Sequence, residues 1–126
     1  MKPTARPVNL DLFRNHLPLA GWVSILHRVS GALLFLALPF GVWLLSLSLA
    51  DAAGYQRVSG WLAHPLSRLV LLLGVWMFSH HVFAGLRHLA LDAHWGVELR
   101  PARLSSLVVL LAGAAVMLLA AWRLFA

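Results

Sequence analysis

Residues 66–91 read LSRLVLLLGVWMFSHHVFAGLRHLAL. The first half of this stretch is apolar, and the second half carries His80, His81, Arg87 and His88. As a helix rising 1.5 Å per residue the stretch is about 39 Å long, more than the roughly 30 Å of a bilayer's hydrocarbon core. Imidazoles and a guanidinium at membrane depth are costly and by default mark function. The function is therefore sought in these few polar side chains rather than in the hydrophobic bulk.

Two more runs flank it. Val29 to Ala50 carries no formal charge, and the run from Leu104 is uncharged until Arg123. The expected spans are about 21–49, 66–91 and 104–124, so the fold class is an all-α membrane protein with three transmembrane helices. Residues 1–126 form a single transmembrane anchor domain. Residues 1–20 read as a polar N-terminal arm. Pro3, Pro7, Pro18 and Asp11 interrupt it, so it is not expected to be a secretory signal. Asp51 to Ser67 is expected to be a loop, with Gly54, Gly60 and Pro65 as breakers. Pro39 is expected to kink or loosen the first span, and Pro101 to lie near the start of the third helix.

Composition agrees. The chain has 126 residues, 61% of them hydrophobic, and a mean hydropathy of +0.83. A soluble domain this apolar would aggregate, and three spans leave no room for a soluble catalytic domain. No cysteine is present, which excludes disulfides, iron–sulfur ligation and thiolate zinc within the chain. No flavin-binding glycine motif is present either. Lys and Arg number 10 against 4 Asp and Glu. The basic residues border the apolar runs, which points to membrane topology and not to nucleic acid. Lys2, Arg6, Arg14, Arg28, Arg87, Arg100 and Arg103 fall on one side; Arg57, Arg68 and Arg123 fall on the other. Seven against three places the N-terminus in the cytoplasm. Trp22, Trp61, Trp95 and Trp122 lie near span ends, as in an aromatic belt.

Two constellations stand out. Ser24, His27, Arg28 and Gly31 follow i, i+3, i+4, i+7 and share a helix face at the inner start of the first span. A hydroxyl, an imidazole and a guanidinium together can hydrogen-bond a carbonyl or carboxylate. The spacing also accommodates Arg28 as a membrane anchor and Ser24 as a packing hydroxyl. Gly74, His81, Gly85, His88 and Asp92 form the second stripe. Glycine beside histidine lets a flat group approach the backbone, and neutral imidazole ligates haem iron. A histidine merely bonded to a neighbouring helix fits the same spacing. His80 points about 100° away from His81, so both cannot face one cofactor. Arg87 and Asp92 are expected to pair, or Asp92 to deliver protons. His16, His64 and His94 are expected to be solvated. Ala112, Gly113, Ala114 and Ala115 form a patch that allows close helix approach.

Three segments resemble the cytochrome b subunit of succinate dehydrogenase, the larger of two membrane anchors in the bacterial respiratory complex. They are Arg6-Pro7-Val8-Asn9-Leu10-Asp11-Leu12, Ser24-Ile25-Leu26-His27-Arg28-Val29-Ser30-Gly31, and His81-Val82-Phe83-Ala84-Gly85-Leu86-Arg87-His88, with Asp92 following. The resemblance covers nearly the whole chain. It implies a multi-pass protein of the bacterial inner membrane that passes electrons from succinate to ubiquinone without itself acting on succinate. The implied partners are a second membrane anchor, an iron–sulfur subunit and a flavoprotein, besides membrane lipid. His81 is the implied axial ligand of haem b, with the partner anchor giving the other histidine. Ser24 and Arg28 are implied to line the ubiquinone site. His27, Arg28 and His88 are implied to lie at the haem, and Asp92 at a proton-delivery position. The doubled His80-His81 departs from the family pattern. Two other readings stay open: another b-type cytochrome subunit, or a haem-free anchoring or assembly protein.

Overall fold

The computed structural model describes residues 17–126. The described chain is helical throughout: α1 spans Leu19–Ala50, α2 Ala52–Ala63, α3 Pro65–Asp92 and α4 Leu99–Phe125. Three of these are long and apolar enough to cross a membrane: α1, with 32 residues, α3, with 28, and α4, with 27. The expected N-terminal arm lies mostly outside the described residues, as do its Arg6-to-Leu12 segment and His16.

The expected loop after the first span is instead the helix α2. Asp51 terminates α1 and also caps α2, its Oδ1 accepting the Gly54 amide at 2.5 Å. The glycines read as breakers sit inside α2. Gly54 is buried against α1, and a Cβ added there would collide with the Leu47 carbonyl. Gly54 is therefore a packing residue that lets α2 fold back along α1, where Trp61 stacks near Trp43. Pro65 does not continue a loop; it opens α3 in its first turn, where a missing N–H costs nothing. His64 is exposed as expected, and it also caps α3 by accepting the Leu66 amide on Nδ1 at 3.3 Å. Helix α1 is continuous through Pro39.

α3 ends in a tight left-handed cap. The Trp95 amide bonds the Ala90 carbonyl at 2.8 Å and the His94 amide bonds the Leu91 carbonyl at 2.9 Å, with His94 at φ 63°. This is the doubly bonded cap in which glycine usually takes the left-handed position. The turn sends α4 back along α3. Near the far end, Arg68 Nη1 donates to the Leu124 carbonyl at 3.0 Å and ties the start of α3 to the end of α4.

The core is small and sits at one end of the three long helices. Val23 from α1, Ala84 from α3 and Val109 from α4 meet there, joined by buried His80, Ser30 and Ser106. Gly113 contributes the expected close approach: a Cβ there would lie 3.8 Å from the His80 backbone. Elsewhere large apolar side chains face outward, as with Phe35 at 74% exposure and Leu49 at 76%. For a chain whose surroundings are lipid, that outward apolar surface is the expected arrangement.

Candidate functional site

The start of α1 runs beside the end of α3, and this pairing brings the two polar stripes of the sequence together. His27 and His81 stack face to face, with ring centroids 4.2 Å apart and planes inclined by 12°. His88 lies 5.1 Å from His27 in a tilted arrangement. Two glycines make room for the stack. A Cβ at Gly31 would come within 2.7 Å of His81 Cε1, and one at Gly85 within 3.4 Å of His27 Nε2. Each imidazole thus lies over the glycine of the opposite helix. Gly74, which shares the stripe, faces open space.

The orientation of His81 follows from its partners. Nδ1 lies 3.1 Å from the His27 backbone carbonyl and 3.3 Å from Ser30 Oγ. A carbonyl can only accept, so the hydrogen resides on Nδ1. Ser30 Oγ gives its own hydrogen to the His27 carbonyl at 2.9 Å and is free to accept as well. In the neutral ring the lone pair is then on Nε2, on a side chain that is only half-buried. Metal-ligating histidines are commonly fixed in this manner, by a carbonyl on the other ring nitrogen. Ser30 lies outside the i, i+3, i+4, i+7 set of Ser24, His27, Arg28 and Gly31. Its signal was local: three residues after His27, its hydroxyl bonds back to that residue's carbonyl.

His80 is placed quite differently. It is fully buried in the centre of the three helices, and neither ring nitrogen has a hydrogen-bond partner among the described residues. Trp76 stacks on it one turn earlier, with centroids 5.6 Å apart, and Gly113 covers its backbone. The His80 ring has no exposed surface among the described residues.

Ser24 is half-buried and Arg28 exposed at the same end of α1. Among the described residues, Arg28 Nε reaches the Ser24 carbonyl, at 3.5 Å. That is a long contact, and the terminal nitrogens of the guanidinium have no partner among the described residues. Asp92 is exposed. The expected Arg87–Asp92 pair is not formed. Arg87 Nε donates to Ser105 Oγ at 3.1 Å and Nη2 to the Ala102 carbonyl at 3.3 Å, both on α4. Five residues of helix turn a side chain by about 140°, so Arg87 and Asp92 leave α3 in different directions. Among the described residues no set of three His, Asp or Glu side chains converges on a metal-ion position. Stacked rings present their nitrogens side by side rather than toward one centre.

The family described as succinate dehydrogenase/fumarate reductase transmembrane subunit matches residues 2–120. The succinate dehydrogenase cytochrome b556 subunit of Coxiella burnetii is 37% identical over 108 residues, covering 82% of this chain and 84% of that protein. The cytochrome b556 subunit of Paracoccus denitrificans is 33% identical over 113 residues, covering 89% and 85%. A succinate dehydrogenase cytochrome b560 subunit from Reclinomonas americana is 32% identical over 114 residues, covering 83% and 76%. The chain belongs to the succinate dehydrogenase/fumarate reductase transmembrane subunit family.

Proposed function

We propose that this chain is the cytochrome b membrane anchor of a succinate dehydrogenase, and that it holds one side of a haem b and part of a ubiquinone-reduction site. The carrying observation is His81: an imidazole fixed through Nδ1 by the His27 carbonyl, with Nε2 free on a half-buried face. The relatives' names include a cytochrome b, and the residues present fit that group. Gly31 and Gly85 let the His27 and His81 rings pack closely, and His27 and His88 would stand beside the group as further imidazoles. When bound, haem supplies a one-electron store.

His27 lies stacked alongside His81, so the two would not hold the group from opposite sides. A second membrane anchor would supply the other ligand. The outward apolar middle of α1 offers this anchor a surface, since Phe35, Leu36 and Leu38 are covered by nothing in the described chain. The iron–sulfur and flavoprotein subunits dock on the cytoplasmic side. That side is the basic end bearing Arg28, Arg100 and Arg103, which supports a cytoplasmic N-terminus, with the three spans in a bacterial inner membrane.

Ser24 and Arg28 then form the quinone-facing group. Both stand where a polar headgroup with an apolar tail comes to rest. A guanidinium stabilises negative charge arriving on a quinone oxygen more than it stabilises the neutral carbonyl, which is the condition for lowering a barrier. Asp92, exposed at the same end, is placed to exchange protons with water.

Purification from the native membrane in mild detergent tests this. A flavoprotein, an iron–sulfur protein and a second small membrane protein are expected to co-purify with the chain, together with a reduced b-type absorbance band. Haem without the flavoprotein would make the chain a different b-type cytochrome. The flavoprotein without haem would reduce it to an anchor.

A further inference from the structure

Arg87 faces away from the histidine cluster. It stands about 120° around α3 from His81, while Phe83 and Leu86 stand farther round on the same side as Arg87. With α4 these residues form an open groove: Phe83 and Leu86 on one wall, Val108 and Ala112 on the other, and Arg87 and Ser105 at its head. Ser105 to Ala112 is about two helical turns, so the groove runs about 10 Å from the membrane border toward the bilayer centre.

The head of the groove is an incompletely matched cation. Arg87 is 7% exposed and its two hydrogen-bond partners are a hydroxyl and a carbonyl, both neutral. Nη1 has no protein partner among the described residues. Arg100 and Arg103 are exposed in the first turns of α4, beside the Ala102 carbonyl that Arg87 contacts. The same region is the N-terminal end of α4, where backbone N–H groups and the helix dipole favour an anion. A buried guanidinium at the head of an apolar channel matches a molecule with a phosphate at one end and a hydrocarbon chain at the other.

We infer that the α3–α4 groove is a site for an anionic phospholipid, with the phosphate on Arg87 and one acyl chain between Phe83, Leu86, Val108 and Ala112. The site is separate from the proposed haem and quinone face, and the inference needs only that the chain spans a membrane. A partner helix is the less suitable occupant. A second anchor sharing the His81 ligation approaches from the opposite side of α3, and an apolar helix would leave Arg87 without a counter-charge.

The test uses the complex as isolated from membranes, exchanged into detergent containing phosphatidylglycerol or phosphatidylcholine, with retained lipid counted by native mass spectrometry. The wild-type complex should retain phosphatidylglycerol in preference. Arg87→Gln should reduce that preference about fivefold, the effect of roughly one basic residue at an anionic headgroup, and Arg87→Lys should keep most of it. Ala112→Phe fills the groove below an intact Arg87. It should lower retention of both lipids while quinone-linked turnover stays unchanged, so loss of lipid is read separately from loss of activity. Should Arg87→Gln fail to assemble, the lysine and Ala112→Phe arms still decide. Equal retention of the two lipids by the wild type overturns the inference. So does unchanged retention in Ala112→Phe, or efficient cross-linking of a Val108→Cys complex to another subunit.

Discussion

Gly31→Ala offers the sharpest test of how the histidine face is built. A Cβ at this position would stand 2.7 Å from His81 Cε1 and 3.2 Å from its Nδ1. Carbon atoms in contact settle at about 3.5 Å, so the ring must retreat by about 0.8 Å. It cannot do this and keep Nδ1 at 3.1 Å from the His27 carbonyl and 3.3 Å from Ser30. Losing one such bond costs about 1 kcal/mol, and loss of an outer-shell partner typically weakens metal binding by 10- to 100-fold. Haem retention in the purified complex should fall by about tenfold, with a shifted reduced-minus-oxidised spectrum. The internal control is Gly74→Ala on the same stripe as His81, where the new methyl meets nothing within 4 Å. Gly85→Ala, whose Cβ would press His27 Nε2 at 3.4 Å, should fall between the two. If Gly31→Ala and Gly74→Ala gave the same haem content and spectrum, the proposed seating of His81 would be wrong.

The two adjacent histidines should separate cleanly. His81→Ala is expected to abolish the reduced haem band, whereas His80→Leu should retain it and assemble normally, because an apolar side chain replaces one whose nitrogens are unpartnered; loss of haem in His80→Leu alone would reverse the assignment. Arg28→Leu should slow quinone-linked succinate oxidation, by less than the roughly 3 kcal/mol seen when a donor is removed from a closed site, and leave artificial-acceptor activity intact. Ser24→Ala should do the same more weakly; a parallel fall of both activities would remove these residues from the quinone site. Gly54→Ala should destabilise the packing of α2 on α1 by about 1–3 kcal/mol, since the new methyl meets the rigid Leu47 carbonyl. Thermal melting of the purified complex measures this, and an unchanged midpoint would mean that α2 is not held there.

Much of this protein was legible from one chain of letters because a bilayer imposes few choices. Hydrocarbon leaves backbone groups no partner but their own helix, so uncharged runs of sufficient length predicted α1, α3 and α4 to within a few residues. Helical periodicity likewise put Ser24, His27, Arg28 and Gly31 on one face and His81, Gly85 and His88 on another, and separated His80 from His81. Other features depended on which helix stands beside which. Gly54 and Gly60 carry the same local signal whether they break a chain or let two helices touch, and only the contact with Leu47 distinguished the cases. Arg87 and Asp92 looked like a pair because both are charged and near in sequence; the arrival of α4 gave Arg87 different partners. The reciprocal seating of His27 over Gly85 and His81 over Gly31, and the capture of His81 Nδ1 by the His27 carbonyl, join residues 50 or more positions apart. Periodicity assigns each side chain a direction on its own helix; the partner it meets in that direction is set by the packing of α1, α3 and α4 against one another.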